Sequence, residues 1–292
     1  MGRRRQLILG AINITLPAPH EADRYIRLFQ LALAEKRKVS LQGDWVGLLG
    51  SATVEAAESD DRFIRGEFYK YIDLISTRDW FNIEKGKRAN AQELDAIVIP
   101  EALKPHFQFF PFVFFPKRHR LVLITRDGLD SLSSRQAAAI LTKIFSSTNI
   151  LTAFGRVDVV VEPSRETLET IFSLPRLRSL EIEVTPPNPD DFEDFERELY
   201  KGMEDQRAGS YKIVMHESDA RGLAPDEKIK NLAAVAQSNG KVVGIGGGRG
   251  KTRKVSTTDH PIVEKTSYNP DTELRSNVLL EKAKELIRRL RR

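Results

Sequence analysis

The sequence lacks cysteine altogether and has no apolar run long enough to cross a bilayer. Because none of its 292 residues is cysteine, disulfides and thiolate metal sites are excluded, and a reducing compartment such as the cytoplasm is the natural expectation. The apolar segments all fall short of the roughly 20 residues that a membrane-spanning helix needs. The basic start, Met1 to Arg5, has the charge of a signal peptide, but no small-residue cleavage site follows it. We therefore expect a cytoplasmic protein without a membrane span.

The sequence also lacks a recognisable catalytic or metal-binding motif. None of its histidines has a second histidine at the i, i+4 spacing of zinc proteases. The five histidines are His20, His106, His119, His216 and His260. A Ser/His/Asp triad is not indicated either, because the polar residues from 256 to 260 lie too close together in sequence to surround one reacting atom. The sequence favours a protein that is not an enzyme, with no metal and no cofactor.

What the chain does have is a dense cluster of phenylalanines in its middle. Six of the nine residues from 107 to 115 are phenylalanine, and a second apolar run, Leu121 to Ile124, follows a short basic turn. Aromatic and β-branched residues favour strands that are buried on both faces. The segment therefore predicts a central β-hairpin, with Pro111 marking a bulge or an edge. The turn carries the cations Lys117, Arg118 and Arg120, which either grip phosphate or are merely solvated.

The rest of the pattern predicts an α+β fold. Residues 1–150 read as a β-rich region with strands at Gln6–Leu16, Val39–Glu55 and Arg62–Ile75, and helices at His20–Arg37 and Ser133–Phe145. Residues 151–292 form a mixed region, in which a strand at 157–161, a helix at 164–174 and a strand at 177–184 suggest a βαβ-like unit or a split version of one. An acidic helix at 190–205 and a helix at 225–236 complete the prediction.

The glycine-rich segment Gly244 to Thr252 resembles a phosphate-binding P-loop but lacks the required spacing. Counting back from Gly250, the first glycine of the motif would fall on Ile245, and the residues after Thr252 favour a strand over a helix. We predict a hairpin with strands near 241–247 and 253–257. Its cations, Arg249, Lys251, Arg253 and Lys254, could clamp a phosphate backbone, or the loop could be simply flexible.

Positive charge is concentrated near the end of the chain. From residue 241 onward there are thirteen lysines and arginines against six acids, a net charge of +7, whereas the whole chain carries only +5. A basic helix at 272–292 contributes Arg288, Arg289, Arg291 and Arg292. Cations at a helix C-terminus also suit the helix dipole. Localised charge favours a specific polyanionic partner.

Two other functions stay open from the sequence. Asp158 and Glu162 invite comparison with metal-dependent nucleases or phosphotransfer enzymes, although the acid-x-lysine pattern of many nucleases is missing. The acidic helix and the basic tail could also serve as docking surfaces of a protein-interaction module.

The chain resembles the RexA-like phage-exclusion proteins and related bacterial anti-phage defence proteins. The resemblance rests on the phenylalanine hairpin, on the strand Val157–Pro163 that runs into a helix ending near Phe172, and on the basic terminal helix. It implies a cytoplasmic, homodimeric, sequence-tolerant DNA-binding protein that acts in abortive infection with an effector partner. It identifies no catalytic residue, so the candidate binding residues come from charge.

The sequence thus predicts a non-catalytic protein that binds DNA, or RNA, through phosphate contacts. The candidate nucleic-acid-binding residues are Lys117, Arg118, Arg120, Arg249, Lys251, Arg253, Lys254, Arg288, Arg289, Arg291 and Arg292. They belong to three segments, and a shared interface requires that the fold bring these segments together.

Overall fold

Two large antiparallel β-sheets, one small two-stranded sheet and the helices that cover the large sheets form an α+β fold, as the sequence predicts. The computed structural model describes residues 4–56, 62–74, 79–164, 166–185, 194–248 and 250–290. The strands are β1 (Arg5–Thr15), β2 (Val39–Ser40), β3 (Trp45–Ala56), β4 (Arg62–Ile72), β5 (Phe81–Asn82), β6 (Lys87–Arg88), β7 (Gln108–Phe115), β8 (Arg120–Asp127), β9 (Asp130–Ser131), β10 (Asp158–Val161), β11 (Leu177–Val184), β12 (Tyr211–His216), β13 (Gly240–Gly246), β14 (Arg253–Ser256) and β15 (Glu264–Tyr268). The helices are α1 (Ala22–Glu35), α2 (Ala91–Asp95), α3 (Ser134–Phe145), α4 (Thr148–Phe154), α5 (Glu166–Phe172), α6 (Asp194–Asp205), α7 (Glu227–Ser238) and α8 (Arg275–Leu290).

The larger sheet has nine strands and draws on both ends of the chain. Its order is β10-β1-β8-β7-β4-β3-β2, with β15 also paired to β1 and β9 paired to β8. One edge of β1 is shared, because its first half pairs with β15 and its last four residues pair with β10. The predicted regions 1–150 and 151–292 therefore share this sheet, since β10 and β15 come from the second region.

The phenylalanine-rich strand β7 lies in the middle of this sheet and is covered on both faces. Phe112 and Phe114 pack against Phe29 of α1, with ring centroids 5.9 and 4.9 Å away. On the opposite face Val113 belongs to the core that α8 covers. The predicted central hairpin is confirmed. Pro111 is tolerated because at that residue β7 pairs with β4 but not with β8, so its missing N–H removes no hydrogen bond to β8.

The smaller sheet has four strands in the order β12-β11-β13-β14. The helices α5, α6 and α7 pack on one of its faces and form a second core around Leu180 and Ile182. The predicted βαβ-like unit is wrong, because β10 belongs to the nine-stranded sheet and β11 to this one. Strand β10 completes the edge of β1, whereas β11 pairs antiparallel with β12 and β13, which come later in the chain. The first four residues of the predicted acidic helix lie outside the described residues.

Helices α3 and α4 form a bent pair inside the larger core. Ser133 caps α3 in a capping box with Gln136, and Ser147 caps α4. Across the described ranges no single helix is long and apolar enough to cross a membrane; α3 and α4 meet that test only jointly, with a bend of 80° between them. Both pack against the nine-stranded sheet.

The two-faced burial of β7 predicts a sharp difference between phenylalanines of one segment. Phe112 is 0% exposed and Phe107 is 57% exposed. Phe112→Ala should lower the free energy of unfolding by about 3–5 kcal/mol because it opens a cavity in the core. Phe107→Ala should cost about 1 kcal/mol or less. Urea denaturation measures both, and equal losses would contradict the described packing.

Candidate nucleic-acid interface

The glycine-rich segment forms the predicted hairpin between β13 and β14. Gly247 and Gly250 have φ angles of +142° and +81°, a region that side chains other than glycine rarely adopt. A Cβ atom at Gly247 would lie 2.2 Å from the carbonyl oxygen of Lys251. The turn therefore depends on glycine for its shape. Because β14 follows it directly, without a helix, the segment is not a P-loop.

Three cations of this hairpin are exposed and have no ion pair. Lys251, Arg253 and Lys254 make no side-chain hydrogen bond or salt bridge to the residues that the structure describes, and Arg249 lies outside them. On the open face of the same sheet Glu181 accepts a 2.8 Å contact from Lys212. That contact, with the charges of Lys241 and Lys254, lowers the pKa of Glu181. Among the described residues, the hairpin thus carries three exposed cations that form no ion pair.

A further cation, the half-buried Arg178, lies beside the hairpin, although its charge did not mark it in the sequence. Its Nη1 atom donates to Oγ1 of Thr252, 3.4 Å away in the hairpin. Arg178 sits where the pairing of β11 with β13 is interrupted between Leu177 and Ser179. The sequence contains one signal of this irregularity: Leu177 and Leu180 are three residues apart, which breaks the alternation of a regular strand and indicates a bulge. Both leucines are buried in the structure.

The basic end of α8 lies beside the hairpin. Arg289 forms a 2.7 Å ion pair with Glu264, while Arg288 is exposed and makes no ion pair within the described residues. Arg253 and Arg289 both line one cleft of about 730 Å³ between α5, β14, the start of β15 and α8. Two of the three predicted basic segments therefore meet at one place. Arg291 and Arg292 lie outside the described residues.

The basic turn after β7 has a partly structural role. Residues Pro116–Arg118 form a 3-10 turn in which Lys117 is exposed and Arg118 is half-buried. Arg120 pairs at 2.6 Å with Glu162, whose side chain is only 2% exposed. Removing one partner of such a pair leaves an uncompensated buried charge, at a cost of about 3–5 kcal/mol. The charge of Arg120 is therefore engaged inside the fold.

The acids proposed for a nuclease centre are also engaged by arginines. Asp158 pairs with Arg156 at 3.0 Å, and Glu162 pairs with Arg120. Within the described ranges no group of three or more histidine, aspartate or glutamate side chains could hold a metal ion. The two acids are thus placed as ion-pair partners of the fold.

His119 is buried at the end of the basic turn in a left-handed conformation, with φ of 55°. Its ring lies 4.8 Å from that of Tyr25 and 6.2 Å from that of His20. Burial, together with the nearby charges of Arg120, His20 and Arg118, which act in the same direction, lowers the pKa of His119 to about 3. The folded chain thus keeps this imidazole neutral.

The neutral His119 predicts a loss of stability in acid. The unfolded chain takes up a proton on this residue near pH 6.5, whereas the folded chain does so only near pH 3. Between these values acid favours the unfolded chain, by about 1.4 kcal/mol per pH unit for this group. His119→Asn, which tolerates the left-handed backbone, should therefore flatten the pH dependence of the free energy of unfolding between about pH 6.5 and 4.5.

The exposed His216 provides the control for this experiment, since His216→Asn removes an imidazole without touching the buried turn. Urea denaturation at several pH values measures the free energy in each variant. The described burial of His119 would be contradicted if the two variants gave parallel pH profiles.

The chain matches one family model over nearly its whole length. Residues 5–284 match the family described as a domain of unknown function, DUF4747. The match runs from β1 into α8 and so spans both sheets, but it ends before Arg288. The chain belongs to this family. No curated protein matches the sequence.

Proposed function

We propose that this member of the DUF4747 family binds nucleic acid through the phosphate backbone, without catalysis. We propose DNA as the ligand, with RNA as the alternative. The supporting observation is that Lys251, Arg253, Lys254 and Arg288 are exposed and have no ion pair in the described structure. They lie on the hairpin and on the end of α8, two segments that meet at one cleft. Cations left unpaired in this way can neutralise phosphates at little cost in lost internal contacts.

Backbone contact fits this surface better than base recognition. The hairpin from Gly240 to Ser256 contains no aromatic residue on which bases could stack. Its glycine-rich turn offers backbone N–H groups next to lysine and arginine side chains, which is a combination that binds phosphate oxygens. We therefore expect binding that depends strongly on salt and little on sequence.

The hairpin cations give the direct test of this function. The triple variant Lys251→Gln, Arg253→Gln, Lys254→Gln should weaken binding to a duplex oligonucleotide by about tenfold or more, because it removes up to three phosphate contacts. Each lost contact should also reduce the slope of log affinity against log salt concentration by roughly one. Fluorescence anisotropy over a salt series measures both quantities. A matched control, Lys36→Gln, Arg37→Gln, Lys38→Gln, removes three exposed cations that follow α1.

The control should bind like the wild-type chain. Equal losses of affinity in the two variants would mean that net charge alone, and not the hairpin, determines binding.

The same variants test the wider proposal that this cytoplasmic chain acts in abortive infection with an effector partner. Expression of the wild-type chain should lower phage plating efficiency, and the hairpin variant should restore it. Equal plating with both chains would contradict that role.

A second candidate function, association with another copy of the chain, is favoured by an exposed apolar arm at residues 79–106. Four of its apolar side chains are between 64% and 84% exposed, namely Phe81, Ile83, Val98 and Leu103. The arm is nevertheless ordered by its own contacts, including a capping box between Asn90 and Glu93. Its four cations and five acids nearly balance, so two copies would not repel one another. We propose that these arms pack together in a homodimer.

The arm predicts a dimer that charge would disrupt. The double variant Ile83→Lys, Val98→Lys should convert a dimeric chain into a monomer in sedimentation equilibrium, because burying two unpaired ammonium groups is costly. Leu129→Lys is the control, since Leu129 is fully exposed in the turn between β8 and β9. A monomeric wild-type chain, or a double variant that remains dimeric, would contradict the proposal that the arms form a homodimer interface.

A further inference from the structure

The cleft shared by Arg253 and Arg289 has the size of a small-molecule site. It measures about 730 Å³, and pockets for small ligands typically measure about 300–1,000 Å³. Its walls come from both parts of the fold: α5 and β14 belong to the smaller sheet and its cover, while β15 and α8 belong to the larger. A site in this position is assembled only when the two sheets are held together.

The polar lining of this cleft carries both signs of charge. Asp259 and Glu264 line the cleft but are already engaged, at 3.0 Å by Arg135 and at 2.7 Å by Arg289. Among the described residues, Arg253 makes no ion pair, and the Glu166 carboxylate accepts only a long 3.4 Å contact from the hydroxyl of Ser164. Within the part of the chain that the structure describes, the cleft thus presents one guanidinium and one carboxylate without an ion pair.

Thr167 supplies an independent indication of a ligand. It lines the cleft, it is 3% exposed, and its Oγ1 atom is buried without a hydrogen-bond partner among the described residues. A buried hydroxyl without a partner costs free energy, and such groups are uncommon in folded proteins. A ligand oxygen that reached this hydroxyl would recover that loss.

The remaining wall of the cleft is apolar. Ile262, from the segment before β15, and Leu286 and Leu290, from α8, line it. Aliphatic side chains provide a surface on which a flat, weakly polar ring can lie, and apolar walls with a few polar groups are typical of small-ligand pockets. The cleft therefore combines an apolar wall, an available cation, an available carboxylate and an unsatisfied hydroxyl.

We infer that this cleft binds a nucleoside phosphate. The phosphomonoester binds Arg253 and the Thr167 hydroxyl, the sugar hydroxyls or base amino group donate to Glu166, and the base lies against the apolar wall. A mixed lining suits this ligand better than inorganic phosphate, which has no donor groups for the carboxylate and no ring for the wall. The inference rests on the proposed function, because Arg253 belongs both to the proposed nucleic-acid surface and to this cleft. The ligand is either a free mononucleotide or the 5′-phosphorylated end of a strand.

Isothermal titration calorimetry with the full chain tests this inference. The probes are the four ribonucleoside monophosphates, the corresponding nucleosides, inorganic phosphate, and one oligonucleotide with and without a 5′-phosphate. We expect a monophosphate or the phosphorylated strand to bind at least tenfold more tightly than its unphosphorylated form and than inorganic phosphate. Which of the two binds identifies the source of the phosphomonoester. Failure of both to bind would overturn the inference.

Two variants assign the binding to the cleft. Arg253→Gln should weaken nucleotide binding at least tenfold, and Thr167→Val should weaken it about fivefold to tenfold, the worth of one hydrogen bond. Thr167→Val should leave thermal stability equal or higher, because it removes an unsatisfied buried hydroxyl. Unchanged nucleotide affinity in both variants would place any bound nucleotide elsewhere and so overturn the inference.

The double variant Lys251→Gln, Lys254→Gln separates this inference from the proposed function. These lysines do not line the cleft, so the variant should weaken binding of an unphosphorylated duplex and leave nucleotide affinity unchanged. Nucleotide binding without duplex binding would retain the cleft and refute the proposed function. Duplex binding without any preference for a phosphomonoester would refute the cleft alone.

Discussion

The fold depends on the burial of one pair of strands on both faces. Strands β7 and β8 carry apolar residues on successive positions, so neither face of the sheet can remain in water. Helices α1 and α3 cover one face, and α8, the last element of the chain, covers the other. The C-terminal part of the chain must therefore return to the first sheet. That return fixes the basic end of α8 beside the smaller sheet and creates the cleft between them.

Ion pairing then divides the cations into two groups. Arg120 and Arg275 pair with Glu162 and Asp127, carboxylates that are at most 9% exposed, and these pairs belong to the fold. The hairpin cations have no such partners in the described structure. This division separates residues of similar appearance in the sequence. Arg120 and Arg253 both stand in basic stretches beside strands, yet Arg120 is paired with Glu162, whereas Arg253 makes no ion pair to the described residues.

The local elements could be predicted from the sequence, whereas their partners could not. The phenylalanine hairpin and the β13–β14 hairpin follow from apolar alternation and turn glycines, which act over a few residues. The assignment of β10 and β11 to different sheets depends on β1 having an edge to share, and that edge is set by residues more than a hundred positions away. The order strand, helix, strand is the same in a βαβ unit of one sheet and in the observed fold, where the two strands belong to different sheets. The order along the sequence therefore could not distinguish the two arrangements.

In the candidate site, too, local features could be predicted from the sequence and long-range contacts could not. Charge counting identified Lys251, Arg253 and Lys254, because exposed lysine and arginine near glycine-rich turns are visible in the sequence. It could not identify Thr167, whose relevance depends on a buried hydroxyl without a partner. Charge counting also missed Arg178, although the three-residue spacing of Leu177 and Leu180 around it is visible in the sequence and indicates a bulge. Side chains that matter through packing or pairing become visible only when the distant elements are in place.

Hydrogen exchange with and without a duplex oligonucleotide tests the central claim most directly, because it locates the contact surface without altering the chain. The account predicts slower exchange of backbone amides in the hairpin from Gly240 to Ser256 and at the end of α8, with no change in the arm at residues 79–106. Unchanged exchange in the hairpin, at a duplex concentration that saturates binding, would contradict it.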